Sequence, residues 1–439
     1  VCFHTCEDKC RRSMLDDPVS IRALKRYLVE QEIIVQLPEV MENNKNAVKK
    51  VAVIGAGPAG LSCAYFLARL GYQPVIYESE SRPGGMLTQA IPAYRLPREE
   101  IAREIRMIER IGVDINCDTK LGRDITLKQM REDGFDAVFL SPGAPIGSAL
   151  GIPGEDADGV DDALTFLKHY NIRGNVRINR NVLVIGGGNA AIDAARTAVR
   201  LGADSVTIVY RRKRSQMPAY KEEVEEAIVE GVKLIDLTQP VEVVKTADGK
   251  VAGLKCLHMT LGDFDRQGRR RPVKESEDYF IIKGDQIITA IGQGIEKSVF
   301  DEVEGLEFNE KGYIKIDEST GRTSVDWLYA GGDTSSGPSS VVKAIHAGEA
   351  AAVGIDFDLN GEDHAFWREE RINDTNFDPD LDPVPYPREK VPLIPAEKRR
   401  SNFDEVELPW TEAVALRQSS RCLRCDYGKP VIPREVIND

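Results

Sequence analysis

Two glycine turns constrain this chain more than any other feature: GAGPAG at 55–60 and GGGNAA at 186–191. The first lies in VAVIGAGPAGLSCAYFLARLGYQPVIYES, which predicts a strand over 51–54, the turn, a helix, and a second strand over 74–77 ending at Glu78. Gly55 permits the tight turn, Gly57 lets a diphosphate approach the backbone, and Gly60 lets helix and strand pack closely. Free N–H groups at the helix N-terminus, around Ala59, favour the negative charge of that diphosphate. Glu78, 23 residues after Gly55, is placed to accept hydrogen bonds from ribose hydroxyls. A bare glycine turn is weak evidence. Strand, helix and acid in the right order make it a dinucleotide site.

The second unit, NVLVIGGGNAAIDAARTAVRLGADSVTIVYRR, repeats the fingerprint as Gly186, Gly188 and Ala191, with Asn189 and Ala190 opening the helix. No acid follows its second strand. Tyr210 is followed by Arg211, Arg212 and Arg214. An acid there favours NAD through the 2′-hydroxyl, whereas arginines suit a 2′-phosphate, so the reading favours NADP(H) over NAD(H). The plain alternative for RRKR is a solvated charge run. Between the turns, 98–112 predicts a helix with Ile101, Ile105 and Ile108 on one face. The stretches 135–145 and 286–293 predict strands ending in small-residue turns. Near the C-terminal end, DWLYAGGDTSSGPSSVVKAIHAGEAAA predicts a strand, a Gly-Gly-Asp turn and an alanine-rich helix from about Ser339.

A length of 439 residues allows about three domains, and a net charge of −13 argues against a nucleic-acid binder. Residues 51–68 run 18 positions without a charge, but their glycines and proline fit strand, turn and helix better than a membrane span. The charged start at Val1 lacks the apolar core of a signal peptide, so the expectation is cytoplasmic, without a membrane span.

Of eight cysteines, Cys63, Cys117 and Cys256 lie singly in apolar or strand-like runs and read as buried small hydrophobes. Cys2, Cys6 and Cys10 (VCFHTCEDKC) and Cys422 and Cys425 (RCLRCD) group at the two ends, and read as metal-binding or redox residues before structural disulfides. The tail, 357–439, is proline-rich and charged, which predicts an extended strap and then a short helix leading to the C-x-x-C. A zinc half-site there finds no second pair to complete it.

Taken together, VCFHTCEDKCRR, PVSIRALKRYL, VAVIGAGPAGLSCA, ESRPGGML, IPAYRLP, GIPGED, VLVIGGGNAAID, VTIVYRRKRSQMPA and YAGGD resemble the small (beta) subunit of glutamate synthase and its relatives, over nearly the whole chain. Those relatives include the N-terminal part of dihydropyrimidine dehydrogenase and the large subunit of electron-bifurcating NADH-dependent ferredoxin:NADP oxidoreductase. The resemblance implies an α/β fold with two Rossmann-like domains. Its layout would be an iron–sulfur-type helical segment (1–50), an FAD domain in two parts (51–145 and 286–356), an inserted NAD(P)H domain (146–285), and the tail (357–439).

It further implies FAD at the first turn, held also by Gly85, Gly332, Asp333 and Val341, with hydride passing from NAD(P)H to the flavin and single electrons to iron–sulfur clusters of a partner subunit. No side-chain acid or base is required; Tyr94 and Arg95 in IPAYRLP are the flavin-side candidates. Cys2, Cys6 and Cys10 would ligate a [4Fe–4S] cluster, its fourth ligand coming from Cys422 or Cys425, from upstream residues or from the partner. A disulfide reductase needs a cysteine pair near a fingerprint, and only Cys63 lies there. The rivals are a non-catalytic assembly subunit with a structural flavin, and a stand-alone, cluster-free reductase.

Overall fold

The computed structural model describes residues 1–31, 37–41, 48–264, 268, 270–368, 384 and 386–424. It divides into two compact units. The larger holds Val1, Leu37–His364 and Ile394–Val406; the smaller holds Cys2–Gln36, Ala365–Leu393 and Glu407–Asp439.

The larger unit contains two five-stranded parallel sheets of the same plan. In the first, the strands lie side by side as Leu328–Ala330, Ala137–Leu140, Val51–Ile54, Val75–Tyr77 and Asp114–Asn116. In the second the order is Val160–Asp162, Gln286–Thr289, Asn181–Ile185, Ser205–Val209 and Lys233–Ile235. Each fingerprint strand is central, and both faces of its sheet are covered. That is why VAVI reads as a continuous apolar run rather than an alternating one, and all four residues are buried. The predicted helix at 98–112 forms as Arg98–Arg110 and buries Ile101, Ile105 and Ile108.

Two expected boundaries move. The strand Gln286–Thr289 pairs with Asn181–Ile185, so the second domain runs past 285. The helix starting at Val341 continues through 357 to Asn360, where Gly361 ends it at φ +80°. The segments joining the two sheets meet as a ribbon of only two residues a side, Ile146–Gly147 against Gln293–Gly294. Between the fourth and fifth strands in chain order of the second sheet, the chain inserts an antiparallel sheet of Thr238–Lys245, Val251–Phe264 and Arg270–Lys283. Its inner face packs Val243, Leu254 and Cys256 near Leu183, Ile185 and Ile287.

In the smaller unit described residues from both ends of the chain form one body, so the N-terminal segment expected as its own domain and the tail expected as an extended strap belong together. Helices Ile21–Glu30 and Glu412–Ser419 share a small core with Ala23, Trp410 and Ala415. Buried charge supplies much of the rest. The Glu7 carboxylate accepts from the Arg22 backbone at 2.9 Å and pairs with Arg388 at 2.5 Å. Arg421, fully buried, donates to Asp16 at 2.8 Å and to the Asp17 carbonyl at 2.7 Å. No described helix is long and apolar enough to cross a membrane.

Candidate nucleotide sites

At the first turn, Gly55 adopts φ +94°, and a Cβ there would lie 2.5 Å from the Ser141 carbonyl oxygen. A Cβ on Gly60 would lie 1.9 Å from the Gly55 carbonyl oxygen, so only glycine lets this helix start so close to its strand. Gly85, at φ +53°, closes over the turn: its Cβ would sit 2.7 Å from the Gly57 Cα. Glu78 is buried; one carboxylate oxygen accepts from the Ala56 N–H at 2.7 Å and the other from the Glu80 N–H at 2.9 Å. Burial pushes its carboxyl up from the usual range.

The Gly-Gly-Asp turn meets the same place. A Cβ on Gly332 would come 2.9 Å from the Ala59 Cβ, and Asp333 accepts from the Ser339 N–H at 3.1 Å just before the helix at Val341. That helix crosses Pro58–Arg69 closely, because a Cβ on Gly348 would fall 2.2 Å from the Ala59 carbonyl oxygen. Gly55, Gly57, Ala59, Gly60, Glu78, Gly85, Gly332, Asp333 and Val341 thus converge around two helix N-termini. Thr334 was missed from sequence: fully buried, it accepts from the Gly143 N–H at 2.9 Å and ties this turn to the Pro-Gly turn after Leu140.

The second turn has the same backbone logic and a different surround. Gly186 adopts φ +146°, with a Cβ 2.3 Å from the Ala290 carbonyl oxygen, matching Gly55 and Ser141. Gly188 has nothing within 4 Å of its Cβ position. Tyr210 takes the place of Glu78, each directly after the strand that follows its glycine turn. Its ring lies on Gly187, where a Cβ would come within 2.5 Å, and its hydroxyl donates to the Gln216 carbonyl at 3.0 Å. The loop from 214 to 220 folds beside the turn: Ala219 N–H donates to the Gly187 carbonyl at 3.0 Å and Tyr220 N–H to Asn189 Oδ1 at 3.1 Å. Of the arginines, Arg214 pairs with Glu225 at 2.5 Å. Arg211 is exposed and, among the described residues, makes no ion pair; Arg212 is half-buried. Ala190 is half-buried in the first turn of the helix Asn189–Arg200.

Tyr94 and Arg95 lie elsewhere in their surroundings than a cofactor-facing loop implies. The Tyr94 ring is buried under the guanidiniums of Arg200, at 3.9 Å, and Arg196, at 4.8 Å. Arg95 Nη1 donates to both carboxylate oxygens of Asp193, at 2.7 and 2.8 Å.

Cys63 and Cys256 are buried, and burial raises both thiols, that of Cys256 to about 12; Cys117 is half-exposed. Cys2 Sγ accepts from the His4 N–H at 3.4 Å and Cys10 Sγ from the Val19 N–H at 3.5 Å. Cys2, Cys6 and Cys422 are exposed and Cys10 half-exposed, none in a disulfide. Among the described residues, no three His, Cys, Asp or Glu side chains are grouped closely enough for a metal, because the N-terminal cysteines are spread along two short 3₁₀ turns. Cys425 lies outside the described residues.

Residues 49–348 match the family model of the pyridine nucleotide-disulphide oxidoreductases. The chain is 38% identical to the beta subunit of the NADP(+)-dependent formate dehydrogenase of Moorella thermoacetica, over 97% of this chain and 64% of that protein. It is 35% identical to the small chain of the NADPH glutamate synthase of Escherichia coli, over 80% of this chain and 77% of that one. The chain thus spans just under two thirds of the formate dehydrogenase subunit's length. Its fold superposes on Mycobacterium tuberculosis FprA, solved with NADPH, at a TM-score of 0.60 and 18% identity, over 71% of this chain and 85% of that one. The chain belongs to the pyridine nucleotide-disulphide oxidoreductase family, as an oxidoreductase related to the glutamate synthase small chain.

Proposed function

We propose that the chain takes a hydride from NADPH at its second glycine turn, onto FAD held at its first, and hands electrons to an iron–sulfur partner subunit. The observation that carries this is the contrast between the turns. Gly85 and Gly332 pack against the first, whose second strand leads to the buried carboxylate of Glu78, while the second has Tyr210, Arg211 and Arg212 in that place.

Bound FAD supplies the conversion, accepting two electrons as a hydride and releasing them singly. The chain's residues bind and orient. Gly57 and Ala59 offer backbone to the diphosphate, Glu78 accepts from the ribose, and Asp333 from the ribityl end. At the second turn, Gly188, Asn189 and Ala190 face the NADPH diphosphate, and Arg211 with Arg212 faces the 2′-phosphate. Tyr210 in place of an acid removes the carboxylate that would repel that phosphate.

Cys2, Cys6 and Cys10, with Cys422 or Cys425, are the proposed [4Fe–4S] ligands. Supporting this are the backbone N–H groups directed at Cys2 and Cys10, and the presence of both chain ends in one unit. The described residues do not gather three of them. The names of the formate dehydrogenase and glutamate synthase relatives support a partner subunit.

The test is anaerobic mixing of purified protein with limiting NADPH or NADH, following flavin absorbance, beside iron and sulfide analysis. Rapid bleaching by NADPH is expected. A bound flavin that neither nucleotide bleaches would remove the reductase reading.

A further inference from the structure

The two sheets of the larger unit are joined covalently by little: the crossing segments pair through a two-residue ribbon. Domains linked this way turn against one another unless something else fixes them. A cluster of buried charge bridges them away from the ribbon. From the first half, Arg95 donates to Asp193 and its Nε lies 3.2 Å from Glu223. Asp193 sits one turn into the helix that begins at the second turn. On that helix, Arg196 Nη2 and Arg200 Nη1 share the fully buried carboxylate of Glu230, at 2.7 and 2.6 Å, and Arg196 also pairs with Glu223.

The segment Ile394–Val406 completes the arrangement. Arg399, largely buried, pairs with Glu226 and lies 3.9 Å from Glu230. Phe403 stacks on Tyr170 of the second half at 4.3 Å and lies 6.2 Å from the Tyr94 ring of the first. The Val406 N–H donates to the Tyr94 carbonyl at 2.9 Å. Four arginines thus meet four carboxylates, so the site is neutral as a whole. Apolar faces can slide over one another, whereas forked guanidinium–carboxylate pairs favour one geometry, and setting register is a documented use of buried polar groups.

We infer that this cluster and the segment 394–406 form a clamp that holds the NADPH-binding half in one orientation against the FAD-binding half. Arg95, Arg399 and Phe403 are positioning residues for hydride transfer. The kinetic consequence rests on the function proposed above; the geometric one does not.

The experiment measures pulsed-EPR distances in the full chain, with spin labels at exposed Glu132 and Lys233. Labels are attached through non-cysteine chemistry because exposed native cysteines would take up thiol reagents. The unmodified clamp should give one narrow distance distribution. Arg399→Ala with Phe403→Ala should broaden it, and should slow flavin bleaching by NADPH on the order of tenfold to a hundredfold. NADPH affinity should stay within about threefold, because the nucleotide's own contacts remain. An unchanged distribution in the folded double variant overturns the clamp. If that variant does not fold, Glu226→Gln, at a position 26% exposed, is measured instead, and an unchanged distribution there overturns it equally. If NADPH never bleaches the flavin of the parent protein, the hydride reading fails while the distance test still decides the clamp.

Discussion

The two glycine turns share a backbone and differ in what surrounds it. Both first glycines face the carbonyl one residue beyond the neighbouring strand, Ser141 in one and Ala290 in the other. Both strands are flanked in the same order. Yet the third fingerprint residue is glycine in the first, where a Cβ would lie only 1.9 Å from the Gly55 carbonyl oxygen, and a fully buried alanine in the second. A second pair of turns closes the first site, and a buried carboxylate follows its second strand. At the second site a tyrosine stands where the acid would be. Two sheets of the same plan thus carry different surrounds at the same glycine turn.

The largest expected effect is at the tightest point. Gly60→Ala should abolish FAD retention and lower stability by about 1–3 kcal/mol through overpacking; flavin content after purification checks it. Full occupancy would mean that the closeness of the first turn is not what holds the cofactor.

Acid should next separate the two halves. Burial alone would raise Glu230, but hydrogen bonds from Arg200 and Arg196 outweigh it and hold its carboxyl down to about 2, against an ordinary 4.5. A depressed carboxyl stabilises the fold fully above its ordinary value and loses that stabilisation as pH falls toward about 2, here roughly 3 kcal/mol. Glu78 is shifted the other way and adds no such loss. Hydrogen exchange between pH 5 and pH 3 should show Asn189–Arg200 opening well before Pro58–Arg69, and Glu230→Gln should remove the pH dependence.

Third comes specificity. Arg211→Ala with Arg212→Ala should raise the Kd for NADPH about 10- to 100-fold and that for NADH less than about threefold, as loss of charge-assisted contacts implies. Equal losses by calorimetry would remove the 2′-phosphate role. The smallest effect is Ala191→Gly, which makes the second fingerprint resemble the first. It should cost about 1–2 kcal/mol, the helix penalty of glycine plus one lost buried methyl, in denaturant melts, with FAD content unchanged.

The glycine turns, their strands and the Ile101, Ile105, Ile108 face were legible because each is a local pattern read over a few turns of chain. Sheet membership was not. QIIT and AVFL are both short apolar strands before small-residue turns, and nothing local says that Gln286 pairs with Val182 rather than with the first sheet. The inserted antiparallel sheet hid for another reason. Between Val273 and Phe280, the stretch KESEDY bulges against only Leu257–Met259, which breaks the two-residue alternation. The charged clamp did leave a signal: Asp193, Arg196 and Arg200 are the only charges in an alanine-rich helix, spaced three and four apart on one face. Charges at such spacing beneath a buried sheet call for partners, and those lie far away in sequence.

That distance has a consequence for how the molecule is made. Arg399 emerges from the ribosome 173 residues after its partner Glu226. At about 5–20 residues per second, both Rossmann halves have their own strands and helices available for several seconds before the segment that aligns them exists. The order of synthesis thus separates folding from alignment. Cofactor capture at the first turn can precede the arrival of the segment that aligns the two halves, and the smaller unit, which needs Trp410 and Glu412–Ser419, is completed later still.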